Sequence, residues 1–220
     1  MGDLGYSIIP NVLCSAEIDR LIGSMSGNAD RTRAGARHLL KNPAIAALAR
    51  DSRLIAIASS ILGGTAQPFR ATYFDKSRAA NWLVTWHQDT ALPLRQRSDN
   101  PVWGPWSVKA GVIYAHAPAS ALEQLIALRI HLDDSNADNG PLRVLAGSHA
   151  LGVLTDEEIS GLTRTVPSID CVVARGGVIA MRPLIVHASS KSTSNAPRRV
   201  IHIEYAVSLT IDEGMELNVA

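Results

Sequence analysis

Apolar residues recur along this chain with two different periods. In the first third they keep helical spacing: Ser15 suits an N-cap, and Ile18, Leu21, Ile22 and Met25 follow at i, i+3, i+4 and i+7. Pro43 suits the first turn of a second helix through Arg50. Asp51 caps a third, which runs to Leu62 and stops at Gly63-Gly64. From Gln67 onward the pattern shortens to strand-like runs broken by turn residues. Strands are predicted at 69–75, 83–89, 108–116, 125–133, 141–147, 169–175, 177–183 and 199–207, with Asn139-Gly140 as a tight turn. Residues 155–162 read as one short helix capped by Thr155. Helices gathered ahead of short strands predict a mainly β fold with N-terminal helices (α+β), a jelly roll or barrel and not a βαβ fold. The expected organisation is one domain over 1–220, with 1–65 as helical cover and 67–207 as jelly-roll core.

The period of two also sorts side chains by face. If Arg198 points into the barrel, then Val200, His202 and Glu204 share its side. Ile201, Ile203, Tyr205 and Val207 then form an outer apolar stripe for the helices. In 125–133, Leu128, Ile130 and Leu132 likewise oppose Arg129, His131 and Asp133. The result is a partly polar lumen holding Arg129, His131, His202 and Glu204. Two readings stay open: a satisfied structural network, with Arg129 paired to Glu204, or groups that bind a polar substrate. Residues 90–107 carry three prolines and no clear period, which suits either a lid or a surface excursion anchored by Trp103 and Trp106.

Composition narrows the functional classes. With 21 basic and 20 acidic residues the formal charge is +1, so there is no electrostatic footprint for nucleic acid or for a membrane surface. Cys14 and Cys171 lie far apart and read as free thiols. With no apolar run of membrane length and no signal-peptide pattern, a soluble cytoplasmic protein is expected.

Candidate chemistry centres on the stretch WHQDTALPL. His87 and Asp89, two apart on a strand, point to one side and together make half a metal site. A third ligand must come from elsewhere. His38 fits a solvated helix face, His116 ends a strand before a turn, and His149 sits in a turn where imidazoles bond to backbone. His187 ends the apolar run PLIV and precedes a polar loop, a suitable place for a ligand.

His87-Gln88-Asp89, His187, and Arg198 eleven residues later occur with LDDSNADNGPLRVLAGSH at 132–149. This combination resembles the phytanoyl-CoA dioxygenase family of iron(II)/2-oxoglutarate oxygenases, over roughly residues 67–207. The family's turn signature usually ends Pro-Gly-Ser-His, and here Ala146 takes the proline's place. The resemblance implies a double-stranded β-helix of cupin-like type, with His87, Asp89 and His187 as iron(II) ligands. It assigns Arg198 to the distal carboxylate of 2-oxoglutarate, a task suited to its planar fork, with Ser189 and Gln88 beside the same cosubstrate. The implied reaction consumes O₂ and 2-oxoglutarate, releases succinate and CO₂, and hydroxylates an unactivated C–H bond of a small metabolite. Asp89 favours hydroxylation over halogenation, since related halogenases carry a small residue there. HxD in place of HxH sets the chain apart from ordinary cupins. Two rivals remain: a cupin-type metal enzyme that does not use 2-oxoglutarate, and a non-enzymatic jelly roll that binds a small molecule. Around the site, Trp82 and Trp86 are expected in the shell and Trp103 or Trp106 in the pocket lining. Lys76 and Lys109 are read as solvated, with a carboxylate-holding role as the alternative.

Overall fold

The structure, a computed structural model, describes residues 1–25, 35–77, 80–212 and 214–220. Its strands in the first half are β1 (Tyr6–Ile9), β2 (Gly35–Ala36), β3 (Gln67–Lys76), β4 (Val84–His87), β5 (Ala91–Leu94), β6 (Trp106–Lys109), β7 (Val112–His116) and β8 (Leu125–His131). The second half adds β9 (Leu142–Val144), β10 (Ile169–Cys171), β11 (Val178–Met181), β12 (His187–Ser189), β13 (Arg198–Ala206), β14 (Thr210–Asp212) and β15 (Met215–Glu216). The α-helices are α1 (Ser15–Met25), α2 (Pro43–Ala49), α3 (Ser52–Leu62), α4 (Ala119–Leu122) and α5 (Asp156–Thr165).

Six strands form a major sheet in the order β1-β11-β8-β13-β3-β2, and four form a minor sheet in the order β10-β9-β12-β4. From β8 to β13 the chain crosses between these sheets again and again, the winding of a double-stranded β-helix. Leu142, Val144 and Cys171 of the minor sheet pack against Ala127, Ile179 and Met181 of the major one. The outer face of the major sheet follows the predicted alternation. Leu128, Ile130, Ile201, Ile203 and Tyr205 bury against Ile18, Ile45 and Leu54 of the helices. Each fully buried isoleucine there is worth about 1.5–3 kcal/mol. The Tyr205 hydroxyl donates to Ala49 O at 3.0 Å and ties the sheet to α2. Val207 falls outside the stripe, beyond the end of β13, and is exposed.

Local chemistry accounts for the helix starts. Asn42 accepts from the amides of Ala44 and Ile45 with Pro43 in the first turn, and Thr155 with Glu158 makes a full capping box. Three expectations need correction. The N-terminal segment is not wholly helical, because β1 pairs with β11 at the edge of the major sheet. The run 108–116 is not one strand: Ala110 and Gly111 have φ of 49° and 79° and turn the chain between β6 and β7. Residues 90–107 are not without regular structure, since β5 lies within them and Trp106 opens β6, the two strands that flank β7 in a three-stranded sheet. Both cysteines are free thiols, and among the described residues no helix is long and apolar enough to cross a membrane.

Candidate active site

β4 and β12 are hydrogen-bonded neighbours, and their register sets His87 directly opposite His187. The imidazole centroids lie 4.2 Å apart. Asp89 follows two residues after His87, its amide anchored to Pro183 O at 3.0 Å. One donor atom from each of His87, Asp89 and His187 lies within 4.8 Å of the others. Each histidine bonds a backbone carbonyl through Nδ1, His87 to Thr85 O at 2.8 Å and His187 to Ile185 O at 2.9 Å. Those contacts make Nδ1 the protonated nitrogen and leave the Nε2 lone pairs facing Asp89, at 3.8 and 3.6 Å. Burial draws the His187 imidazole down to about 4 despite Asp89 beside it, so the ring is neutral at ordinary pH. Burial alone would raise the Asp89 carboxyl, but the two imidazoles and nearby cations hold it below the usual range.

The turn motif supports this centre from behind. Ser148 of the GSH segment donates to Leu145 O and accepts from Val186 N at 2.8 Å, steadying the residue just before His187. Gly140 is required where it stands. Its φ is +66°, and a Cβ there would lie 2.3 Å from Ser190 O and 3.2 Å from Lys76 Nζ.

A cavity of about 360 Å³ opens in front of the donors. At one end Ser189 Oγ donates to Gly140 O at 2.8 Å and accepts from two cations, Lys76 Nζ at 2.7 Å and Arg198 Nη2 at 3.1 Å. Lys76 is only 1% exposed and also reaches Ser190 O. Among the described residues Arg198 Nη1 has no hydrogen-bond partner, and no carboxylate pairs either cation. Burial and the Arg198 and Arg129 guanidinium groups pull the Lys76 ammonium to about 7. Burial and Arg129 pull Arg198 to about 9.

The lumen network differs from the expected pairing. Across β13 and β8, His202 faces Arg129 whereas Glu204 faces Ala127. On its other side Glu204 faces Arg70 of β3 and pairs with it through two contacts. Arg129 instead meets His202 Nδ1 at 3.1 Å, with its Cζ 5.2 Å from the Phe74 ring centroid. Arg129 and His202 line the cavity, and Glu204 lies buried behind Arg70. His131 is fully buried and absent from the lining, and neither of its nitrogens has a partner among the described residues.

Other expectations fare unevenly. Gln88 borders the cavity, but its amide donates to Gly152 O and Leu184 O and accepts from Leu154 N. Its polar atoms fasten the loop before α5 and are already satisfied by backbone groups. Trp103 is buried in a separate apolar cluster, with Nε1 donating to Asp212 at 3.1 Å, and Trp106 packs on that cluster. Neither lines the cavity; both are taken up by the cluster that holds Leu92, Leu94 and Leu217. Trp82 does line it, with Lys76 Nζ 5.6 Å from the ring centroid. Trp86 packs in the shell beside Ile159 and Val186. His38 is buried and bonds the Tyr114 hydroxyl at 2.9 Å, contrary to a solvated helix face. His116 is exposed and bonds the Thr90 hydroxyl. His149 lies against Gly5, and its Nδ1 has no partner among the described residues. Arg70 and Tyr114 are cavity groups that sequence reasoning passed over, and Lys76, read there as solvated, is buried behind Ser189. For Arg70 and Lys76 the signal was present, since alternation along 69–76 sets both opposite buried Phe69, Ala71 and Tyr73.

Fold and site define a double-stranded β-helix protein with a two-histidine, one-carboxylate donor set at the mouth of its barrel. The family model described as Phytanoyl-CoA dioxygenase (PhyH) matches residues 3–200, and the chain belongs to that family. The match takes in the N-terminal helices as well as the jelly roll. An L-proline trans-4-hydroxylase from Streptomyces griseoviridis is 26% identical over 190 residues, which is 73% of this chain. The chain spans 62% of the length of that relative. AviO1 from Streptomyces viridochromogenes Tue57 matches with a TM-score of 0.65 at 23% identity, over 93% of this chain and 90% of that one. HygX from Streptomyces hygroscopicus, solved with nickel, 2-oxoglutarate and hygromycin B, matches with a TM-score of 0.66 at 17% identity, over 93% and 83%. At these identities the two structures establish a common fold.

Proposed function

We propose that this chain is one catalytic domain that hydroxylates an unactivated C–H bond of a small metabolite, using iron(II), O₂ and 2-oxoglutarate. The observation that carries the reading is the convergence of His87, Asp89 and His187 beside a buried, carboxylate-free Arg198. The residues present fit both groups. Two imidazoles and a carboxylate on one side of a point suit a facial iron site with open positions. A buried guanidinium with an orphaned Nη1, next to a buried ammonium, suits a carboxylate. When bound, iron, O₂ and 2-oxoglutarate supply an oxidant able to attack an aliphatic C–H bond, with succinate and CO₂ as by-products. The chain's part is to bind and orient. His87, Asp89 and His187 hold the metal through Nε2, carboxylate and Nε2. Arg198, Lys76 and Ser189 receive the distal carboxylate. Phe74 and Trp82 wall the cavity and limit the entry of water. The family membership and the L-proline trans-4-hydroxylase relative support hydroxylation of a small molecule.

The test is anaerobic titration of the metal-free protein with iron(II) and 2-oxoglutarate, followed by the visible charge-transfer band of the chelate. The band is expected in the wild type and lost in His187→Ala and Asp89→Ala. Bound iron without a band would overturn the assignment.

A further inference from the structure

The cavity carries a second group of cations, separate from the cosubstrate end. Its centre is Tyr114 on β7. Lys109 Nζ lies 4.9 Å from the Tyr114 ring centroid and Arg70 Cζ lies 5.8 Å from it. His38 stacks on the same ring at 6.1 Å and holds its hydroxyl. Arg37 completes this wall of the cavity. The two cation groups have different neighbours. Lys76 feels Arg198 and Arg129, whereas Lys109 feels Arg37 and Arg70. Arg70 and Lys76 stand six residues apart on β3, facing Glu204 and Arg198 respectively, about 20 Å along the strand, and this separates the Tyr114 wall from the Ser189 end.

Charge does not balance on this wall. Glu204 is engaged with Arg70, and Asp89 belongs to the donor set. Among the described residues no carboxylate pairs Lys109 or Arg37. Among the described residues, five cationic side chains line the cavity, Arg37, Arg70, Lys109, Arg129 and Arg198, against the one carboxylate of Asp89. A bound iron(II) and a 2-oxoglutarate dianion cancel one another, so the excess of positive charge persists in the loaded protein. Lys109 is half-buried, and partial desolvation without a counter-ion is unfavourable. It is also placed rigidly. It ends β6 at the two-residue turn into β7, paired with Val112.

We propose that Lys109 and Arg37 receive an anionic group of the prime substrate, a carboxylate or a phosphate. The substrate then lies between the Tyr114 wall and the metal donors, with its reacting carbon toward His87, Asp89 and His187. The inference rests on the oxygenase reading and names the substrate class for that site. A cavity of about 360 Å³, shared with 2-oxoglutarate, restricts that class to small metabolites.

The test uses the full chain loaded with manganese(II), a redox-inert stand-in, and saturated with 2-oxoglutarate, which occupies the Arg198 end. Acetate and methyl phosphate are titrated separately by calorimetry. At least one is expected to bind in the millimolar range, and the preferred probe identifies carboxylate or phosphate as the group recognised. The Lys109→Gln/Arg37→Gln double variant is expected to weaken that binding at least tenfold while 2-oxoglutarate affinity changes less than twofold. Lys109→Arg should retain it. No binding of either anion to the loaded wild type, or equal binding by the double variant, would overturn the inference. A failure of the oxygenase reading looks different, because the manganese-loaded wild type would then show no 2-oxoglutarate binding.

Discussion

Lys76 offers the sharpest test of the cosubstrate seat. Burial, reinforced by Arg198 and Arg129, brings its ammonium from the usual 10.5 to about 7. At about 1.4 kcal/mol per pH unit, this is a bias of roughly 5 kcal/mol against the charged form. The side chain is 1% exposed, so solvent screening does not relieve it. Between about pH 7 and 10 the unfolded chain binds a proton that the folded chain does not, so this group makes stability rise with pH there. A carboxylate placed beside Lys76 and Arg198 reverses the bias and restores the charge. At about pH 8 the free protein holds Lys76 roughly nine-tenths neutral, so binding of 2-oxoglutarate should take up nearly one proton. Arg198, at about 9, stays mostly charged and adds little to the uptake. Calorimetry of the metal-loaded protein in two buffers of different ionisation heat reads the number directly. The affinity should also fall about tenfold for each pH unit above 7. Lys76→Met should abolish both the uptake and the pH slope. Equal heats in the two buffers, with affinity flat across that range, would refute the reasoning.

Arg198→Met removes a buried cation that has no carboxylate partner, so the ligand-free protein should melt no lower than the wild type. The same variant should lose 2-oxoglutarate affinity by about 3 kcal/mol, roughly a hundredfold, and a variant that melts lower yet binds normally would contradict the role. Glu204→Gln strands Arg70 as an uncompensated buried charge and should cost about 3–5 kcal/mol in urea denaturation. Arg129→Met should cost far less, because Arg129 is not the partner of Glu204. Gln88→Ala removes three hydrogen bonds to the 152–154 loop and to Leu184, a loss of about 3 kcal/mol in denaturation. It should leave the dissociation constant of 2-oxoglutarate within twofold, by calorimetry.

Much of the fold was legible because strand alternation is a local property. The stripe Ile201, Ile203 and Tyr205 needs no knowledge of its partners to be assigned to the helix-covered face. The β1 edge strand left no such trace. Its four residues take their partner from β11, some 170 positions away, and no local period reports that pairing. The β5 strand was hidden by Pro93, which lacks an amide and argues against a strand unless it lies at an edge. The run VKAGVIYAH reads as continuous because Ala110 gives no turn signal, although its φ of 49° makes it half of the turn.

The site was legible to the extent that its chemistry is carried by residue type and ended where it depends on register. His87, Asp89 and His187 are recognisable as a donor set in the sequence, and their convergence rests on one cross-strand pair, His87 opposite His187. The partner of Glu204 could not be read in the same way. Alternation places Arg70, Arg129, His202 and Glu204 in one lumen, and any of several pairings would satisfy it. The register of β13 decides, setting Arg70 on one side of Glu204 and Ala127 on the other. That displacement has a chemical consequence. With Glu204 taken by Arg70, Arg129 is left without a carboxylate and turns to the neutral imidazole of His202. The cavity therefore keeps its excess of positive charge at both ends. A two-residue shift in pairing would have set Glu204 opposite Arg129, neutralised it and weakened the case for an anionic substrate.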